Sequence, residues 1–185
     1  MGFILRNSKN FKNTQTLTLL YYALVRSQLE SNMLVWNPIS KKYIEAIEGI
    51  QRHYLKIVYF RIFQYYPFDI NYTELLKGFE MDSLESRRNI ALVGFLYNVL
   101  HGHVDSGDLL REISFRIPRT TRHKATFFVR SANTKAMQQV VLNRACVLFN
   151  KMEKSVENSN TNIDIFFHST PEFKQISREI IILGF

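Results

Sequence analysis

Apolar residues recur at three- and four-residue spacing along most of this chain, a period that predicts helices. Leu17, Tyr21, Leu24, Val25, Leu29, Met33 and Trp36 form one such stripe, which predicts a first helix over about 14–35. Pro38 stops it, because proline brings no N–H and clashes with the preceding turn. Ser40 can cap a second helix, its side-chain oxygen accepting from free backbone N–H groups. There Tyr43, Ile47, Ile50, Tyr54 and Ile57 make the apolar stripe, and Glu48 with Arg52 is read as an i, i+4 pair on the wet side. So short a connection folds the two helices back as an antiparallel hairpin. Trp36 continues the line of Leu29 and Met33. It is therefore expected in the core, where Trp36→Ala would cost about 3 to 5 kcal/mol.

A short helix is expected over 73–77, ending at Gly78. Asp82 opens the next, with Glu85 three residues on in a capping-box pattern. The run from Ile90 to Leu100 is apolar nearly all round, the mark of a central helix contacted from several sides. Gly102 is the stop, and Leu109-Leu110 belongs to one more helical turn. From Ser114 to Arg130, phenylalanines alternate with charges and Pro118 interrupts, which predicts extended or irregular structure, a hairpin being one form. Helix returns over 143–154, and 155–162 is a polar linker. Thr170-Pro171 starts a last helix whose apolar face is Phe173, Ile176 and Ile180. The expected fold is mainly α: an antiparallel helical hairpin packed on a central helix, an irregular basic arm and a C-terminal helix. The expected divisions are 1–112, 113–154 and 155–185.

With 185 residues, 46% of them hydrophobic, the chain suits one domain with a real core. The single cysteine, Cys146, excludes an internal disulfide framework and a Cys-based zinc knuckle. No apolar run approaches a membrane span, and Arg6 defeats a myristoylation reading of Met1-Gly2. Charge is more telling. The chain holds 24 basic and 16 acidic residues. Nine of the former and one of the latter, Glu112, fall in 111–151, leaving fifteen of each elsewhere. The whole surplus of +8 thus sits in one segment, whose positive field attracts phosphate backbones.

Catalytic chemistry has few footholds. Two-metal chemistry needs clustered carboxylates, and no two of Asp69, Asp82, Asp105, Asp108 and Asp164 are adjacent. His101 and His103 flank Gly102 without a third nearby ligand and read as a helix-ending turn. Ser27, Ser31 and Cys146 lack an orienting base. Helical spacing makes Tyr21, Tyr43 and Tyr54 core residues, while Tyr22 and Arg26 can face outward together. The binding candidates are Arg111, Arg116, Arg119, Arg122, Lys124, Arg130, Lys135 and Arg144, interleaved with Phe115, Phe127 and Phe128. Arginine offers planar bidentate donors to phosphate. An acidic protein surface is the other partner such a segment could take.

The residues also carry a resemblance. Leu20-Tyr21-Tyr22, Leu24 to Ser27 and Leu29-Glu30 are followed by Val35-Trp36-Asn37-Pro38, then Tyr43-Ile44, Ile47-Glu48 and Ile50-Gln51-Arg52. Before them stand Gly2-Phe3-Ile4 and Arg6. After them come Leu84 with Arg87-Arg88, Leu100 to Asp105, Leu109-Leu110 and Phe115 to Pro118. This ordered series resembles the region after the polymerase palm in reverse transcriptases of non-LTR retrotransposons, of the LINE, jockey-like type. It covers about residues 2 to 150. The resemblance implies a thumb and its extension from an RNA-directed DNA polymerase, without the palm that carries the catalytic aspartates. Catalytic residues, metal and cofactor would all be absent. The implied partners are a template–primer duplex, held by its backbone without regard to sequence, and the missing palm, but no membrane. The implied setting is intracellular, in cytoplasm and nucleus, with Met1 opening a truncated reading frame. A different class of reading also fits: a decayed or host-retained helical module for protein interaction.

Overall fold

A computed structural model describes residues 2–8, 13–66, 68–116, 125–129, 134, 140–156 and 163–184, with the side chain of Leu5 excepted. The fold is mainly α, as expected, with one two-stranded sheet among the described residues. It divides into two compact units, Met1–Glu85 and Ser86–Phe185.

In the first unit, α1 spans Gly2–Asn7 and α2 Thr14–Leu20. The Asn13 side chain caps α2 by accepting from the Gln15 N–H at 2.8 Å. The helix then widens into a π-helical stretch over Tyr21–Arg26 and tightens again as α3, Ser27–Glu30. A π stretch takes more residues per turn, so the buried line runs Leu17, Tyr21, Val25 and Leu24 turns outward. Asn32 adopts a left-handed φ of 51° and breaks the helix before the single turn α4, Met33–Trp36. The helix α5 spans Lys41–Phe63 and α6 spans Tyr72–Gly78. Ser40 is the residue before α5 as expected, but its side chain makes no capping hydrogen bond; its carbonyl alone accepts, from the Tyr43 and Ile44 N–H groups of the first turn.

The expected hairpin is present. Tyr54 Oη donates to Thr18 Oγ1 at 2.8 Å and Tyr21 Oη to Gln51 Oε1 at 3.1 Å, so α2 and α5 run antiparallel. The Tyr21 and Tyr54 rings stack 3.9 Å apart at 7°. Burial pushes both phenol pKa values above 10.0. Leu55, Val58, Leu75 and Leu76 complete this core.

Three expectations fail here, for Glu48, Tyr43 and Trp36. Glu48 is buried, not on the wet side. It accepts from Tyr72 Oη at 2.6 Å and from the backbone N–H of Glu85 at 2.6 Å, while Gln51 Nε2 donates to the Asp82 carbonyl at 2.9 Å. Arg52 lies over the Tyr72 ring, 4.9 Å from its centroid. The buried face of α5 therefore follows satisfied polar side chains as well as apolar ones, and Tyr43 of the expected stripe is exposed. Trp36 is 39% exposed, its indole N–H donating to the Ser31 carbonyl. The break at Asn32 takes it off the line of Leu29, and the core-sized penalty for Trp36→Ala does not apply.

The helix α7, Leu84–Leu100, begins two residues later than Asp82. No residue from 86 to 100 is exposed, as a central helix requires. It ends in a Schellman motif: the His103 N–H reaches the Asn98 carbonyl at 2.9 Å, the Gly102 N–H reaches Val99, and Gly102 takes a φ of 69°. The elements α8 (Gly107–Glu112), β1 (Ser114–Phe115), β2 (Phe127–Phe128), α9 (Val141–Val156) and α10 (Thr170–Leu183) follow. Ser169, one residue before the expected cap, forms a capping box with Glu172, and Pro171 sits in the first turn.

The second core is a run of rings. Tyr97 meets Phe173 at 4.6 Å, Phe173 meets Phe149 at 6.4 Å, and Phe149 meets Phe127 edge-on at 5.4 Å. Residues 86–112, drawn with the helical hairpin in the sequence reading, thus pack with the basic segment and the last helix.

Candidate nucleic-acid interface

Ser114 and Phe115 pair antiparallel with Phe128 and Phe127, and the Arg116 N–H donates to the Thr126 carbonyl at 2.9 Å. Partners across a ladder share a face. Phe127 therefore turns into the core, 1% exposed, with Phe115 beside it at 5.6 Å, and Phe128 turns outward. In sequence, residues 117–125 join the two strands of this base. They include Arg119, Arg122 and Lys124 and no acidic residue.

The helix α9 grips the base from below. Asn150 accepts from the Phe127 N–H at 3.1 Å and donates to the Phe127 carbonyl at 2.9 Å. Glu153 accepts from the Thr126 N–H at 3.0 Å and from its hydroxyl. These side chains satisfy backbone groups that a two-stranded sheet leaves unpaired.

The eight sequence candidates fare differently. Arg116 is exposed directly beside the ladder. Arg111 is exposed on α8, with Asp108 at 3.4 Å and both side chains more than four-fifths in solvent. Such a pair is worth little and leaves the guanidinium open to a phosphate. Arg144 lies half-buried on α9, and burial lowers its pKa. It is less suited to a surface contact than the other two. Arg119, Arg122, Lys124, Arg130 and Lys135 lie outside the described residues.

The other groups singled out from sequence are used inside the fold. His101 Nε2 donates to the Ile165 carbonyl at 2.8 Å, and its ring stacks on Tyr97 at 4.0 Å. Among the described residues no group of three or more His, Cys, Asp or Glu could hold a metal ion. Burial pushes the Cys146 thiol up to about 11, so it is protonated at neutral pH and a poor nucleophile. Arg26 lies over the exposed Tyr22 ring at 4.7 Å and pairs with Glu30 at 2.8 Å. Among the described residues no helix is long and apolar enough to cross a membrane.

Sequence reading missed Phe166, whose half-exposed ring meets that of Phe115 at 5.8 Å although the two are far apart in sequence, and the exposed Phe167 after it. Their signal was a pair of phenylalanines after Ile163-Asp164-Ile165, at the end of the polar linker. No family model, curated protein or solved structure matches this chain.

Proposed function

We propose that this chain is the non-catalytic C-terminal part of a retrotransposon RNA-directed DNA polymerase, and that residues 111–151 bind the backbone of a template–primer duplex. The observation that carries the reading is the charge distribution: the whole surplus of +8 lies in those residues. The ordered resemblance to the post-palm region supports it. So does the clamped base at Arg116 and Thr126, which ties down both ends of the most basic stretch. On this reading the protein works inside the cell and contributes duplex grip, while the palm contributes chemistry.

Salt dependence is the test. Each phosphate contact releases counterions, so with roughly four to six phosphates engaged, log K against log salt should slope at about −4 to −5 on B-form DNA. Replacing Arg116, Arg119 and Arg122 with alanine should flatten the slope by up to about 3, equally for scrambled sequences. A folded triple variant with an unchanged slope would refute the assignment. It would favour the interaction-module reading, with the arm docked on an acidic protein. Primer extension with Mg²⁺ or Mn²⁺ should be absent, because clustered carboxylates are what that chemistry needs.

A further inference from the structure

We infer that Phe115 and Phe166 form a stacking platform for an unpaired base, so that the protein prefers a single-strand/duplex junction to a closed duplex. This rests on the nucleic-acid reading above and names the part of the substrate that the basic segment alone would not select.

The two rings come from different elements, β1 and the loop before α10, and meet at 5.8 Å with 50° between their planes. They are 50% and 48% exposed. A base inserted between two parallel rings needs about 6.8 Å, twice the stacking rise of about 3.4 Å. None fits between these two. Their tilt instead makes an open corner, where a base can lie flat on one ring with its edge against the other.

The corner is held from behind. The Asp164 side chain accepts from the Phe166 N–H at 2.9 Å, an Asx turn. Tyr97 Oη donates to the His168 carbonyl at 2.9 Å, and His101 holds the Ile165 carbonyl. Ile163 and Ile165 are buried on either side of Asp164. These contacts hold the backbone of the loop that presents Phe166. A scattered exposed phenylalanine needs no explanation. Two in contact, one on a pinned loop and one in the most basic segment of the chain, do. Aromatic faces take any base by stacking, and Phe115 lies within the segment that carries the chain's whole basic surplus, so charge and shape both favour a single strand over an acidic protein.

The test compares a blunt duplex with the same duplex carrying a short unpaired tail, by fluorescence anisotropy at fixed salt. The wild type should bind the tailed probe more tightly, by roughly 5- to 100-fold for one stacked base. Phe166→Ala should lose most of that preference while keeping its affinity and salt slope on the blunt duplex. In a Trp36→Phe background, Phe166→Trp should keep the preference, and its emission should be quenched by the tailed probe and not by the blunt one. Equal binding of both probes by the wild type overturns this inference and leaves duplex binding standing. So does a Phe166→Ala protein with the full preference. Failure of both probes to bind at low salt sinks the duplex reading and this one together. Should Phe166→Ala lose its helical circular dichroism, the quenching by Phe166→Trp decides alone.

Discussion

At the centre of the Met1–Glu85 unit, two tyrosines stack and each hydroxyl needs a partner, found in Gln51 and Thr18. At the centre of the Ser86–Phe185 unit, phenylalanines from β2, α9 and α10 meet with no polar group to satisfy, and one tyrosine closes the row. The first core is specified by hydrogen bonds and leaves large apolar residues such as Val35, Phe63 and Phe68 outside. The second is built on stacked and edge-on rings, although Arg88 and Ser177 are buried in the same unit and Phe167 and Leu183 are left outside. The two should therefore fail in different ways when damaged.

The largest loss belongs in the ring core. Phe149 is 1% exposed and touches Phe127 and Phe173. Phe149→Ala should cost about 3 to 5 kcal/mol, from lost burial plus the cavity left behind. Urea titration followed by circular dichroism would measure it. A loss below about 1 kcal/mol would mean that this core is looser than its geometry.

The tyrosine core should break chemically. Glu48 accepts from Tyr72 Oη and the Glu85 N–H. Glu48→Leu keeps bulk but strips both acceptors, and each buried donor left without one costs about 1 to 3 kcal/mol. Glu48→Gln keeps one acceptor oxygen and should lose less. If leucine is tolerated better than glutamine in the same titration, shape rather than hydrogen bonding governs this unit as well.

A matched pair of turns sharpens the comparison. Both α6 and α7 end in a Schellman arrangement. In α6 the Glu80 N–H reaches Lys77 and the Met81 N–H reaches Leu76. The left-handed position is Glu80 in the first unit, φ 52°, and Gly102 in the second, φ 69°. Only glycine takes that conformation without steric cost. Glu80→Gly should therefore stabilise by up to about 1 kcal/mol, and Gly102→Ala should destabilise by about 1 kcal/mol. Open space around Gly102 makes its loss purely conformational. Shifts of the same sign in both variants would refute the account.

The contrast also explains what the sequence revealed. The faces of α9 and α10, the stop at Gly102 and the covered α7 were legible because apolar residues there simply go inside. The buried face of α5 was not, because Glu48 and Gln51 are drawn in by partners 24 to 37 residues away. No apolar spacing encodes the π stretch that turns Leu24 outward. In the candidate site, the charge surplus could be counted directly. The clamp of Asn150 and Glu153 on β2, and the loop that presents Phe166, arise from tertiary contacts between segments that look unremarkable alone.

The smallest expected effect lies at the start of α10. The Ser169 hydroxyl and N–H both donate to the Glu172 carboxylate and hold its pKa below the usual 4.5. A carboxyl depressed on folding stabilises the fold above its unfolded pKa, and that contribution is lost as pH falls through the folded value. Wild type should therefore exceed Glu172→Ala in thermal stability near pH 7. The gap should begin to close below about pH 4.5 and narrow further with acid, since the unfolded chain then takes up the proton more readily. The group is fully exposed and solvent screens it, so the gap should be the smallest of the four. Thermal unfolding of both proteins across that range measures it. A gap that stays constant down to about pH 3 would show that the helix start depends on Ser169 and Pro171 without the charge on Glu172.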